Sequence, residues 1–238
     1  MRVLVIGGGG YVAGLVLPAL AQQHALRVFD LHAAADLSGE YVAGSVTDLD
    51  ALLRAVDGME AVLYMAMGAK EFVTSTGITT NLDVNIKGVY LALYAAHQAG
   101  IAHAVYTSSM SVYGGDLMTR YFPDEEISPD ASDLYGLSKR LGEEVCRNAT
   151  RAWGMSVNAL RLCFPQPDDS WQAEARPGIP TIATAGSDVA SALLAALDYR
   201  GGFEAFMISG DYAQKVMNMA KAQRLLGWAP LARPRTET

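Results

Sequence analysis

The apolar run Arg2-Val3-Leu4-Val5-Ile6 passes directly into four glycines, Gly7 to Gly10, and then into a segment with helical spacing. A strand that turns through glycine into a helix opens a βαβ unit. The same alternation recurs along the chain. Strands are predicted at 2–6, 26–29, 61–65, 103–107 and 157–162, and helices at 12–22, 49–55, 85–99 and 134–153. Short apolar runs alternating with helices imply a parallel sheet covered on both faces. Right-handed crossovers then give an α/β fold with a doubly wound, Rossmann-type sheet. After Leu162 the texture changes: four of the nine prolines fall at 165, 167, 177 and 180, which reads as an irregular surface segment. A helix at 188–197, a strand at 205–208 and a helix at 216–226, stopped by Gly227 and Pro230, complete the chain. The expected division is a Rossmann domain at 1–162 and a small substrate-binding lobe with closing helices at 163–238.

The glycine run carries the first chemical signal. In Gly7-Gly8-Gly9-Gly10-Tyr11-Val12-Ala13-Gly14, Gly7 permits the tight turn and Gly10 lets a pyrophosphate approach backbone N–H groups at the helix N-terminus. Ala13 is small enough for close helix–strand packing. Asp30 ends the second strand, 20 residues past Gly10. A carboxylate there accepts hydrogen bonds from adenosine ribose hydroxyls and repels a 2′-phosphate, which favours NAD over NADP.

Tyr135 and Lys139 stand four residues apart and share a helix face. A phenol with a pKa of about 10 is a poor base at neutral pH. A neighbouring ammonium and an oxidised nicotinamide both favour the phenolate. The hydroxyl cluster Thr107-Ser108-Ser109-Met110-Ser111 ends a strand, on the side where open α/β sheets bind ligands.

Together these features resemble the extended short-chain dehydrogenase/reductase family, the NAD-dependent epimerase/dehydratase group. The resemblance covers residues 1–165. It resumes at 185–197, at 206–211 and at Leu225-Leu226-Gly227-Trp228-Ala229-Pro230. It implies that Ser109 positions the substrate, that Tyr135 is the general acid/base, and that Lys139 binds the nicotinamide ribose and lowers the tyrosine pKa. Asn85 joins them as a fourth catalytic residue, supporting a proton-relay water. The implied NAD contacts are Gly7, Gly9, Gly10, Tyr11, Val12, Asp30, Ser45, Val46, Met65, Ala66, Tyr135 and Lys139. Arg161-Leu162 matches the arginine-containing strand before the substrate region.

The chain also departs from that pattern. Ser45 stands where an Asp near the adenine is common. Tyr64 and Met67 replace the usual His and small residue. The serine motif lacks the Thr-Asp-Glu of sugar dehydratases, so dehydration is not expected. The short chain after Leu162 resembles the compact uronate dehydrogenases, whereas Met110-Ser111-Val112-Tyr113 is closer to the epimerases. The expected activity is NAD-dependent oxidation of a secondary alcohol on a sugar or sugar acid. The alternatives are an NAD-dependent nucleotide-sugar epimerase and a non-catalytic NAD-sensing or scaffold protein.

Composition narrows the partners. The formal charge of -7 and the lack of a Lys/Arg run argue against nucleic acid. No apolar run reaches 18 residues, so a membrane span is not expected and a cytoplasmic protein is. Cys146 and Cys163 read as buried thiols. His24, His32, His97 and His103 read as surface or loop-end residues without metal-ligand spacing. Apolar stripes at Val89, Leu93 and Ala96, and at Leu137, Leu141, Val145 and Ala149, suggest a homodimer through the two helices that carry them, with packing on the sheet as the competing explanation.

Overall fold

The computed structural model describes residues 1–33, 39–69 and 71–235. Seven parallel strands form the main sheet: β1 (Arg2–Ile6), β2 (Ala25–Asp30), β3 (Glu40–Ala43), β4 (Ala61–Tyr64), β5 (His103–Ser109), β6 (Ser156–Leu162) and β9 (Phe203–Ile208). Their order is β3-β2-β1-β4-β5-β6-β9. The order reverses at β1: β2 follows on one side of it and β4 on the other, and open α/β sheets take their ligands above the carboxyl ends at such a reversal.

Helices cover both faces. On one side α1 (Tyr11–Leu20) packs beside α7 (Gly186–Asp198). On the other lie α2 (Leu49–Ala55), α4 (Val89–Gln98) and α5 (Leu134–Trp153). Burial on both faces explains why β1 reads as an unbroken apolar run: Val3 to Ile6 are each 0% exposed. Local signals set the helix ends. Asp48 caps α2 by accepting from the Ala51 N–H at 3.0 Å, and Asp133 caps α5 by accepting from Gly136 at 2.9 Å. Gly154, at φ +67°, ends α5 in the left-handed conformation.

The structure adds elements that the sequence reading leaves out. β3 is one. Another is α3 (Ser75–Leu82), capped by Thr74 and continued by a π-helical segment, Asp83–Gly88, into α4. The proline-rich stretch is ordered too: it holds α6 (Asp168–Glu174) and a two-stranded sheet of β7 (Pro165–Gln166) and β8 (Thr184–Ala185). α8 spans Ala220–Leu226, four residues shorter at its start than expected. The preceding turn is held instead by Asp211, whose carboxylate accepts from the N–H groups of Val216 and Met217. The segment expected as a separate lobe shares the main layers: β9 pairs with β6, and α7 buries its apolar face beside α1. His103 is a further correction. It is buried at the start of β5, its ring between the carbonyls of Ser156 and Ala196. No helix among the described residues is long and apolar enough to cross a membrane.

Candidate active site

A cavity of about 720 Å³ lies above the carboxyl ends of β1, β2, β4, β5 and β6. At one end is the glycine turn. Gly7 has φ +89°, and a Cβ there would sit 2.3 Å from the Ala66 backbone nitrogen. Only glycine lets this turn approach the β4 loop so closely. Gly10 caps α1 without any side chain, so the first N–H groups of the helix have no side-chain partner. Gly7, Gly9, Gly10, Tyr11 and Val12 all line the cavity. The Tyr11 hydroxyl donates to the Pro165 carbonyl at 3.3 Å and so ties the glycine turn to the segment after β6.

Asp30 stands beside the turn. Its Oδ2 accepts from the Gly9 N–H at 2.9 Å, and its Oδ1 from the His32 N–H at 3.3 Å. Ser45, Val46, Met65 and Ala66 complete this end of the wall. The Ser45 hydroxyl is hydrogen-bonded to that of Thr47 at 2.8 Å. These residues fit a dinucleotide: an uncapped helix N-terminus for the pyrophosphate, an oriented carboxylate for ribose hydroxyls, and a side-chain-free turn.

The other end gathers a hydroxyl, a phenol and an ammonium group. Ser109, Tyr135 and Lys139 line the same cavity. Ser109 ends β5 and caps a short 3₁₀ turn, its hydroxyl accepting from the Ser111 N–H at 3.0 Å. Lys139 is 3% exposed, donates to the Thr107 carbonyl at 2.8 Å, and lies 6.0 Å from the centre of the Tyr135 ring. Burial pulls the ammonium down to about 8. Burial also pushes the Tyr135 phenol above its ordinary range, and a hydrogen bond with Ser109 pulls the other way. In the protein alone, desolvation outweighs that hydrogen bond.

Two glycines absent from the sequence reading bring Tyr135 to Ser109. A Cβ on Gly136 would fall 2.3 Å from the Ser111 carbonyl oxygen, and one on Gly142 would fall 2.3 Å from the Tyr106 hydroxyl. α5 can therefore lie directly against β5 and the turn after it. Both fall within a motif or helix that the sequence displays, but their role shows only once the neighbouring backbone is in place. Phe72 was also missed; its ring stands 5.6 Å from that of Tyr135.

Asn85 and Arg161 lie outside the cavity wall. Asn85 is fully buried and is not part of the cavity wall. Its amide donates to Asn81 Oδ1 at 3.1 Å and to Ser138 Oγ at 2.9 Å, and its Oδ1 accepts from Gly68 at 3.0 Å. The side chain ties α3, α5 and the β4 loop together. Arg161 is likewise turned away from the cavity, in a bidentate pair with Glu143 at 2.9 and 2.8 Å. Ser108 donates to the same carboxylate at 2.6 Å.

Comparison with known proteins agrees with this geometry. The N-acetyl-α-D-glucosaminyl-diphospho-ditrans,octacis-undecaprenol 4-epimerase of Escherichia coli O157:H7 is 30% identical over 146 residues, 61% of this chain and 43% of that protein. A 3β-hydroxysteroid dehydrogenase/Δ5→4-isomerase from Mycobacterium tuberculosis is 34% identical over 172 residues, 67% of this chain and 46% of that protein. The matched stretch is thus less than half the length of these relatives. Among solved structures, a mutated uronate dehydrogenase superposes with a TM-score of 0.80 at 22% identity, covering 97% of this chain and 82% of that one. UDP-glucose 4-epimerase from Brucella ovis, in complex with NAD, gives 0.81 at 18% identity, covering 97% and 93%. Both share the fold. The sequence model of the NAD dependent epimerase/dehydratase family matches residues 3–165, from the glycine turn through the Tyr135/Lys139 helix to the end of β6. The chain belongs to that family, and its cofactor is NAD.

Proposed function

We propose that this protein is an NAD-dependent dehydrogenase that interconverts a secondary alcohol and its ketone. The observation that supports this reading most is the meeting of Ser109, Tyr135 and Lys139 in one cavity with the glycine turn and Asp30. Bound NAD supplies a hydride acceptor at its nicotinamide. Ser109 holds the substrate oxygen beside the tyrosine. The Tyr135 phenolate takes the hydroxyl proton as the C–H hydride departs, leaving a ketone. Lys139 places a buried positive charge behind the ring below about pH 8, and its hydrogen bond to Thr107 fixes that charge in place.

An epimerase would use the same groups but retain the ketone and return hydride to its other face. The two differ in what leaves the protein. Incubation with NAD and a panel of secondary alcohols, neutral sugars, uronates and UDP-sugars, followed at the NADH absorbance, separates them. Stoichiometric release of NADH and ketone is expected. Inversion of a UDP-sugar without NADH release would establish the epimerase instead. The same reading has the protein act as a homodimer, through apolar residues that α3, α4 and α5 leave exposed.

A further inference from the structure

The sequence reading expects a sugar or sugar acid as substrate, and the cavity wall bears on that choice. Only two charged side chains line it among the described residues, Asp30 and Lys139. Asp30 sits at the glycine turn, at the dinucleotide end. The Lys139 ammonium is buried and committed to the Thr107 carbonyl. Arg161, next to the cavity residues Leu162 and Cys163, is locked in its pair with Glu143. Arg120 lies outside the wall and is paired with Asp130 at 2.8 Å. Among the described residues, a carboxylate entering beyond Tyr135 would meet no free side-chain cation in the wall.

Beside the hydroxyls of Thr107, Ser108, Ser109 and Ser111, the wall presents four apolar side chains, Met67, Met110, Leu117 and Phe164. Phe164 stands out on two counts. It is 59% exposed, so the core does not account for it. Its φ is +39°, in the left-handed region that a bulky side chain rarely adopts, and it directly precedes Pro165, which further disfavours helical backbone. The strain is held by the β7–β8 sheet, in which the Thr184 N–H donates to the Phe164 carbonyl at 3.2 Å. Strained, exposed side chains of this kind gather at ligand sites.

We propose that the substrate is an uncharged secondary alcohol with a largely apolar body, and that Phe164 is the specificity-determining residue against which that body packs. The proposal rests on the dehydrogenase reading above and deepens it. In this arrangement Ser109 and Tyr135 hold the reacting oxygen, and Met67, Met110, Leu117 and Phe164 take the apolar body.

The test has a turnover arm and a binding arm. In the first, wild-type protein with NAD is given cyclohexanol, a 3β-hydroxysteroid, glucose, glucuronate and UDP-glucose. An apolar alcohol should exceed the sugars in kcat/KM by at least about tenfold, the scale on which apolar pockets discriminate. Phe164→Ala should lower that value by about tenfold while leaving NAD affinity unchanged, and Phe164→Tyr should retain it. In the second arm, NADH-loaded protein is titrated with cyclohexanone, a 3-ketosteroid and glucuronate by calorimetry. Preference for an apolar ketone is expected. Absence of turnover with every alcohol, together with this binding preference, would count against the dehydrogenase reading alone. Preference for glucose, glucuronate or UDP-glucose in either arm, or no binding of any apolar ketone, would overturn the proposal. An unchanged apolar preference in Phe164→Ala would overturn the role of Phe164.

Discussion

Asp30 is oriented by the turn it serves. The Gly9 N–H fixes one carboxylate oxygen, so the group is placed before any ribose arrives. A 2′-phosphate at the same position would meet a like charge. NAD should therefore bind more tightly than NADP, and Asp30→Ala should weaken NAD by about 1.5–3 kcal/mol, the worth of a hydrogen bond to a charged group, while narrowing the preference. Calorimetric titration of both cofactors checks this; tighter NADP binding by the wild type would contradict it. That Ser109, Tyr135 and Lys139 share one cavity was legible at this scale, because Tyr135 and Lys139 stand one helical turn apart and Ser109 ends a strand. The hydrogen bonds of Asn85 were not. Its partners, Gly68, Asn81 and Ser138, lie up to 53 residues away, and only the fold brings them together.

α5 shows which elements a sequence can announce. Its bounds were read as 134–153 and are Leu134–Trp153, because Asp133 caps one end and Gly154 stops the other. α3 has weaker signals: Ser-Thr-Gly-Ile-Thr-Thr-Asn-Leu contains a glycine and several β-branched residues, and only the Thr74 cap and buried contacts make it helical. β3 is short and half-exposed at the sheet edge, so it shows no apolar run. Likewise, four prolines obscured a segment whose Trp171 is 1% exposed and anchored to the Ala183 carbonyl. At this scale Gly136→Ala is the informative substitution. The new methyl meets the Ser111 carbonyl and pushes α5 off the β5 turn. A loss of about 1–3 kcal/mol in stability is expected. Turnover should fall further than that loss explains, because Tyr135 moves away from Ser109. Denaturant unfolding beside activity measurement tests it; wild-type turnover would show that the close approach is not needed.

At the scale of the whole molecule, the helical stripes divide. Val89, Leu93, Ala96 and Ala149 are buried in the core of the single chain. Other residues remain outside: Tyr90 is 42% exposed, Leu137 36% and Leu141 41%, with Ile78 and Leu82 nearby in the chain on α3. Tyr90, Tyr94 and His97 gather around Trp153 beside them. In the proposed homodimer these exposed apolar side chains would form the association surface. A dimer is therefore expected in sedimentation at micromolar concentration, with Leu141→Glu shifting it toward monomer. A wild-type monomer at that concentration would contradict this. The layers and the doubly wound parallel sheet were legible because periodicity dictates them. The places of β3 and β9 in that sheet were not, since β3 shows no apolar run and β9 pairs with β6 across the short elements of residues 163–202, which no local pattern ties to the sheet.

The central claim is that Tyr135 and Lys139 act as one proton-handling unit, and the pH dependence of NADH formation tests it most directly. Tyr135→Phe keeps the ring but removes the ionisable oxygen, so turnover should fall by about 10²–10⁴-fold with NAD affinity little changed. Lys139→Met removes the charge behind the ring, so its activity should rise only at higher pH than in the wild type, with weaker NAD binding. The double variant should lose no more than the worse single one. Near-wild-type turnover in Tyr135→Phe, or a Lys139→Met profile that rises at the wild-type pH, would contradict the account.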